Sequence, residues 1–243
     1  MNKNIIAIAV ASLGFIIGLG LLGSAIKNRN KSENTISVTG LGTKKFTSDL
    51  ITWSGNFSRN SFELKQAYDA LSNDRKIIEN YLISKGIPKN EIVFSAVDIQ
   101  KQYNYVSDAN GSSHQTFAGY QLTQSVSLES KDVAKIENLS RNITEIINLG
   151  IEFTSSRPNY FYTKLAEVKQ EMIANATKDA KERAEKIAEN ADSDLGNLKK
   201  ATMGVIQITA PNSNEDFSYG GTYNTQSKEK EASITIKLEY EVD

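Results

Sequence analysis

His114 is the only imidazole in the 243 residues, and it lies beside a turn-rich stretch, SDANGSSH, that also holds Asp108, Ser112 and Ser113. A general base needs a nucleophile and an orienting carboxylate within hydrogen-bond reach. Asp108 with Ser112 or Ser113 is the only local set, and a loop of this composition does not preorganise one. With one histidine and no cysteine, thiolate zinc sites, cysteine nucleophiles, disulfides and two-histidine metal sites are excluded within a single chain. Asn190, Asp192 and Asp194 offer oxygen ligands without the spacing or terminal glutamate of a calcium loop, so they read as the end of a helix. Glu215 and Asp216 read as solvated loop carboxylates. Gly40-Leu41-Gly42 lacks the third glycine and the following helix of a phosphate-binding loop. These residues therefore predict no catalytic site, no metal site and no cofactor.

Two other groups of residues have spacing that suits contact. Ala176, Ala180, Ala184 and Ala188 recur every four residues on the apolar face of a long helical pattern, so another backbone can approach them closely, within the chain or between chains. Phe217, Tyr219 and Tyr223 stand in a polar, glycine-bearing loop, residues 211–228, and exposed aromatics on such a loop mark a contact surface.

The elements that must position these groups follow from periodicity. A short strand over 36–40 leads to a turn at Gly40 and Gly42, and 46–58 alternates as a second strand. Asn60 with Glu63 reads as a capping box ahead of a helix whose stripe is Leu64, Ala67, Tyr68, Leu71, Ile78 and Leu82, stopped by Gly86 and Pro88. Residues 91–106 and 115–129 pair as an antiparallel hairpin. A second helix over 131–148 ends at Gly150, and 151–161 is a strand interrupted by Pro158. The long Ala-rich helix, free of glycine and proline over 163–192, precedes a strand at 205–209. The mobile loop 211–228 and a closing strand over 232–242 complete the chain. The fold class is α+β, with antiparallel sheets covered by helices.

The formal net charge is -1, from 28 basic and 29 acidic residues, which argues against a nucleic-acid partner. Ile5 to Ile26 form an apolar run without a charge, long enough for an N-terminal transmembrane helix. The alternative is a signal peptide cleaved after Ala25. More Lys and Arg follow the run than precede it, which by itself holds a domain in the cytoplasm, although large domains are translocated despite such charges. The expected organisation is a membrane anchor or signal peptide at 1–27, a linker at 28–34 and an α+β domain at 35–243.

Several weak motifs follow one another along the chain: Ile36-Ser37-Val38-Thr39-Gly40-Leu41-Gly42, the strand opening at Thr47-Ser48-Asp49, and the helix stop Lys85-Gly86-Ile87. Gly119-Tyr120 and the Ala-rich stretch 176–208, with Leu195-Gly196, complete the set. Their order resembles the SIMPL-domain family of bacterial periplasmic immunogenic and oxidative-stress-defence proteins. The chain departs from the family pattern at Ser48, where a proline is expected, and at Ser227-Lys228-Glu229-Lys230, where a Pro-Gly pair is common. The resemblance implies a non-enzymatic envelope protein linked to stress tolerance, whose members form large ring- or channel-like oligomers. Together with the apolar run it gives the leading expectation: a self-assembling, homo-oligomeric protein, single-pass in the bacterial inner membrane through residues 5–26, facing the periplasm or exterior. The alternative is a ligand- or peptide-binding module or adaptor that uses the hairpin strands and the 211–228 loop, its small-molecule ligand unknown.

Overall fold

The computed structural model describes residues 14–23, 34–107 and 113–242. Ten strands are named in chain order: β1 Thr35–Thr47, β2 Leu50–Ser61, β3 Val93–Phe94, β4 Asp98–Ser107, β5 Ser113–Ser130, β6 Phe153–Ser155, β7 Asn159–Phe161, β8 Leu195–Met203, β9 Gln207–Thr209 and β10 Glu229–Val242. The helices are α1 Leu64–Ser84, α2 Val133–Asn142 and α3 Leu165–Asn190, with 3-10 turns at Lys89–Glu91 and Ile143–Leu149. One sheet has the order β1-β10-β8, with β9 also on β10; the other has β3-β5-β2-β6, with β4 on β5 and β7 on β2.

The chain falls into two compact units. The first is drawn from the described residues of Met1–Gly40, Thr177–Met203 and Ile236–Asp243; the second is Leu41–Ala176 with Gly204–Thr235. In the first, β8 pairs antiparallel with the end of β10, Ile236 opposite Met203 and Val242 opposite Leu195. Val38, Ile236, Leu238 and Tyr240 are buried there with Ala180, Ala184 and Ala188. The alanines let the helix come close, which is the use of small side chains at a packed face.

In the second unit, Ile51, Trp53, Phe57, Leu122, Val126 and Leu128 alternate along β2 and β5, and they share a core with Leu71, Ile78 and Leu82 of α1 and Ile136 and Leu139 of α2. The Arg59 guanidinium, on β2, donates to Asp74 of α1 and to the Gly150 carbonyl, both at 2.8 Å. That ties the buried carboxylate of the helix to the sheet, as a buried charge requires. Gly42 lies so close to α3 that a Cβ there would meet the Met172 carbonyl at 2.3 Å and the Ala176 nitrogen at 3.1 Å.

Several expectations are corrected. The described part of the apolar run, residues 14–23, is helical. The rest of 5–26 lies outside the described residues, and among those described no helix is long and apolar enough to cross a membrane. The transmembrane helix is therefore withdrawn, and with it the membrane partner, the single-pass inner-membrane location and the membrane-anchored assembly that rested on it.

β1 runs straight through Gly40 and Gly42 without the expected turn, because Gly42 serves the close approach to α3. The break falls at Ser48 and Asp49, so the expected strand over 46–58 is the end of β1 joined to β2. The capping box is absent: Glu63 caps α1 without a side-chain bond, and Ser61 Oγ accepts from the Glu63 N–H instead. Residues 91–106 divide into β3 and β4, and Pro158 separates β6 from β7. β8 was not anticipated, because its mostly exposed side chains show no apolar alternation.

Candidate functional site

The final strand shows why a groove forms. Lys230, Ala232, Ile234 and Ile236 take the buried phase of β10, while Glu231, Ser233 and Thr235 take the other. On β1 the same alternation buries Gly42 and Phe46 and exposes Leu41, Thr43 and Lys45. Within the second unit the open face of this sheet therefore carries Leu41, Thr43, Ser233 and Thr235, and the chain after β9 rises beside it. The result is a groove of about 900 Å³, walled by Leu41, Val205, Phe217 and Tyr219, with Glu215 and Glu231 also in its lining.

The 211–228 loop was expected to be mobile, but it is tied down along its length. Gln207, largely buried on β9, donates to the Ser218 carbonyl at 2.8 Å and accepts from the N–H groups of Ser218 at 3.3 Å and Thr222 at 2.8 Å. Gly221, at φ 91°, closes the turn by donating to Ser218 O at 3.0 Å. An L side chain at that φ is strained, so glycine suits the position. Ile208 N–H donates to Thr222 O at 2.7 Å, and Asn224 N–H to Ile208 O at 2.8 Å, so the returning loop lies against β9.

The base of the loop is held by cations. Lys230 is wholly buried; its ammonium donates to the Asn224 carbonyl and, at 2.8 Å, to the Ser227 carbonyl. It also lies 5.5 Å from the centre of the Tyr223 ring. Burial pushes the Lys230 amine down to about 8, against a smaller opposing pull from Glu215. Lys228 Nζ donates to Glu137 Oε2 of α2 at 3.0 Å, and Tyr160 OH donates to Glu137 Oε1 at 2.9 Å. Burial first, and then the bond to Glu137, push the Tyr160 phenol up to about 12. Desolvation opposes ionisation of Glu137, but Lys228 and Tyr160 prevail and hold its carboxyl below the usual range. Ser48 N–H donates to Lys228 O at 2.9 Å, so the two places where the chain departs from the SIMPL pattern meet in space.

The three loop aromatics separate. Phe217 is 70% exposed and Tyr219 fully so, and both line the groove. Tyr223, less exposed at 38%, is not in that lining: its hydroxyl accepts from Tyr162 N–H at 3.2 Å, and its ring stands 6.3 Å from that of Phe161. Among the described residues, the hairpin strands β4 and β5 contribute none to the groove lining.

Elsewhere the candidates do not converge. His114 is exposed on β5 opposite Val106; Asp108 and Ser112 lie outside the described residues. Asp192 sits at φ 52°, Asn190 Nδ2 donates to Lys186 O at 2.7 Å, and Ser193 N–H donates to Ala188 O at 3.1 Å, the pattern of a helix end. Among the described residues no group of three His, Cys, Asp or Glu is placed to hold a metal ion. Ala176, Ala180, Ala184 and Ala188 are all buried within the chain.

Sequence reasoning missed Gln207, Leu41, Val205 and Glu231, because a groove assembled from β1, β9 and β10 needs pairings distant in sequence. One signal was available. Lys230 occupies the apolar phase of an alternating strand, where a lysine must have a dedicated acceptor.

The chain matches no curated protein. The SIMPL family, described as protein of unknown function (DUF541), matches residues 36–241, which spans both sheets and the helices α1, α2 and α3. The chain belongs to the SIMPL family.

Proposed function

We propose that this protein is a non-catalytic binding module whose open-face groove holds a ligand with an apolar body. The observation that supports the reading is the pair Phe217 and Tyr219, exposed rings on a turn that Gln207 pins beside the groove. An apolar ring left in water gains nothing for folding, and fixing it in advance lowers the ordering cost of binding. The volume, about 900 Å³, falls in the range of small-molecule sites. Such a module fits the stress-tolerance role implied by the family resemblance.

The test is calorimetric titration of the full chain with octyl glucoside, a neutral probe with an apolar tail, below its micelle concentration. Saturable binding is expected, weakened about tenfold or more in the double variant Phe217→Ala/Tyr219→Ala, a loss of about 1.4 kcal/mol or more. Both rings are exposed, so the variant should melt as the parent does. Absence of saturable binding, or equal binding by the variant, overturns the proposal.

A further inference from the structure

The charge around the groove narrows the class of ligand, an inference that rests on the binding reading above. Two acidic side chains, Glu215 and Glu231, are in its lining, and among the described residues no lysine or arginine is. Glu215 Oε1 accepts from the neutral amide of Asn224. Lys230, whose amine feels the pull of Glu215, is wholly buried and committed to two carbonyls. Glu231 has Lys45 for a neighbour, but at 3.7 Å, and the lysine side chain is 66% exposed. A solvent-facing pair of that kind contributes about 0–1 kcal/mol and yields readily to a better partner.

The rings of Phe217 and Tyr219 supply the second half of the argument. An aromatic face attracts a cation, by about 0.5–2 kcal/mol depending on desolvation, and it repels an anion. Carboxylates and aromatic faces around one apolar cavity thus select the same charge. We propose that the groove takes an organic ammonium: an alkyl or aromatic body laid against Leu41 and Val205, with a primary or quaternary ammonium beside the Phe217 and Tyr219 rings and the two glutamates.

A matched series tests this: octyltrimethylammonium, octyl glucoside and octyl sulfate, each titrated calorimetrically into the full chain below its micelle concentration. The expected order of affinity is ammonium, then glucoside, then sulfate, with about tenfold between the first two. The variant Glu215→Gln/Glu231→Gln should remove that tenfold advantage, so that ammonium and glucoside bind with similar affinity. Equal affinity for all three, a preference for the sulfate, or an ammonium affinity untouched by the glutamine variant overturns the ammonium assignment while the binding reading stands. Silence from all three probes, by contrast, removes the binding reading itself.

Discussion

Among the described residues, Ser48 keeps its hydroxyl buried without a hydrogen-bond partner while its backbone N–H is committed to Lys228. A buried unsatisfied group costs about 1–3 kcal/mol, so Ser48→Ala should stabilise the protein by about 1 kcal/mol in urea denaturation and leave the backbone bond in place. A loss of stability would mean that the hydroxyl has a partner after all. Lys230 offers a second test at this scale, and its sign follows from linkage. Its amine titrates at about 8 in the folded protein against an ordinary 10.5. Below pH 8 both states hold the proton, and the folded state bears the cost of burying it. Between 8 and 10.5 the unfolded chain holds a proton that the folded one has released, so stability rises with pH through that window. The full gain is about 3 kcal/mol at 1.36 kcal/mol per unit. Lys230→Met cannot titrate, so the stability of the natural protein relative to this variant should grow from pH 7 to pH 10; a constant or shrinking difference contradicts the account.

At the scale of elements, α3 carries the clearest expectation. Ala180 and Ala184 are fully buried, and a leucine at both positions should overpack the face by about 1–3 kcal/mol, read as a lower midpoint of chemical denaturation. An unchanged midpoint would show that the face has room to spare. The same helix shows what was legible in the sequence. Its uninterrupted period from Leu165 and its Asn-Asp end were readable from the residues alone, as were the stripe Ala67, Leu71, Ile78, Leu82 of α1 and the inward phase of β10. The rest required partners. β8 has no apolar alternation of its own and exists because β10 pairs with it. The expected turn at Gly40 and Gly42 failed because β1 runs on through both, and Gly42 answers the approach of α3, more than a hundred residues away in sequence. The apolar run over 5–26 predicted a span by length and hydropathy, yet among the described residues no helix is long and apolar enough to cross a membrane. In the candidate site, the aromatics of a polar loop were visible in the sequence. Gln207, which pins them, was an ordinary glutamine until its neighbours were placed.

For the whole molecule, the claim is that a SIMPL domain works by holding a ligand on the open face of one sheet. A rival surface exists on the other sheet: Phe62, Tyr103 and Phe117 are exposed around the hairpin of β4 and β5, the Phe117 ring centre 6.5 Å from that of Phe62 and 6.0 Å from that of Tyr103. The two are separable by methyl and aromatic NMR of the full chain titrated with octyl glucoside. The account predicts saturable shifts at the Leu41 and Val205 methyls and the Phe217 and Tyr219 rings, with Phe62, Tyr103 and Phe117 unmoved. Shifts confined to those hairpin rings, or none that saturate anywhere, would contradict it.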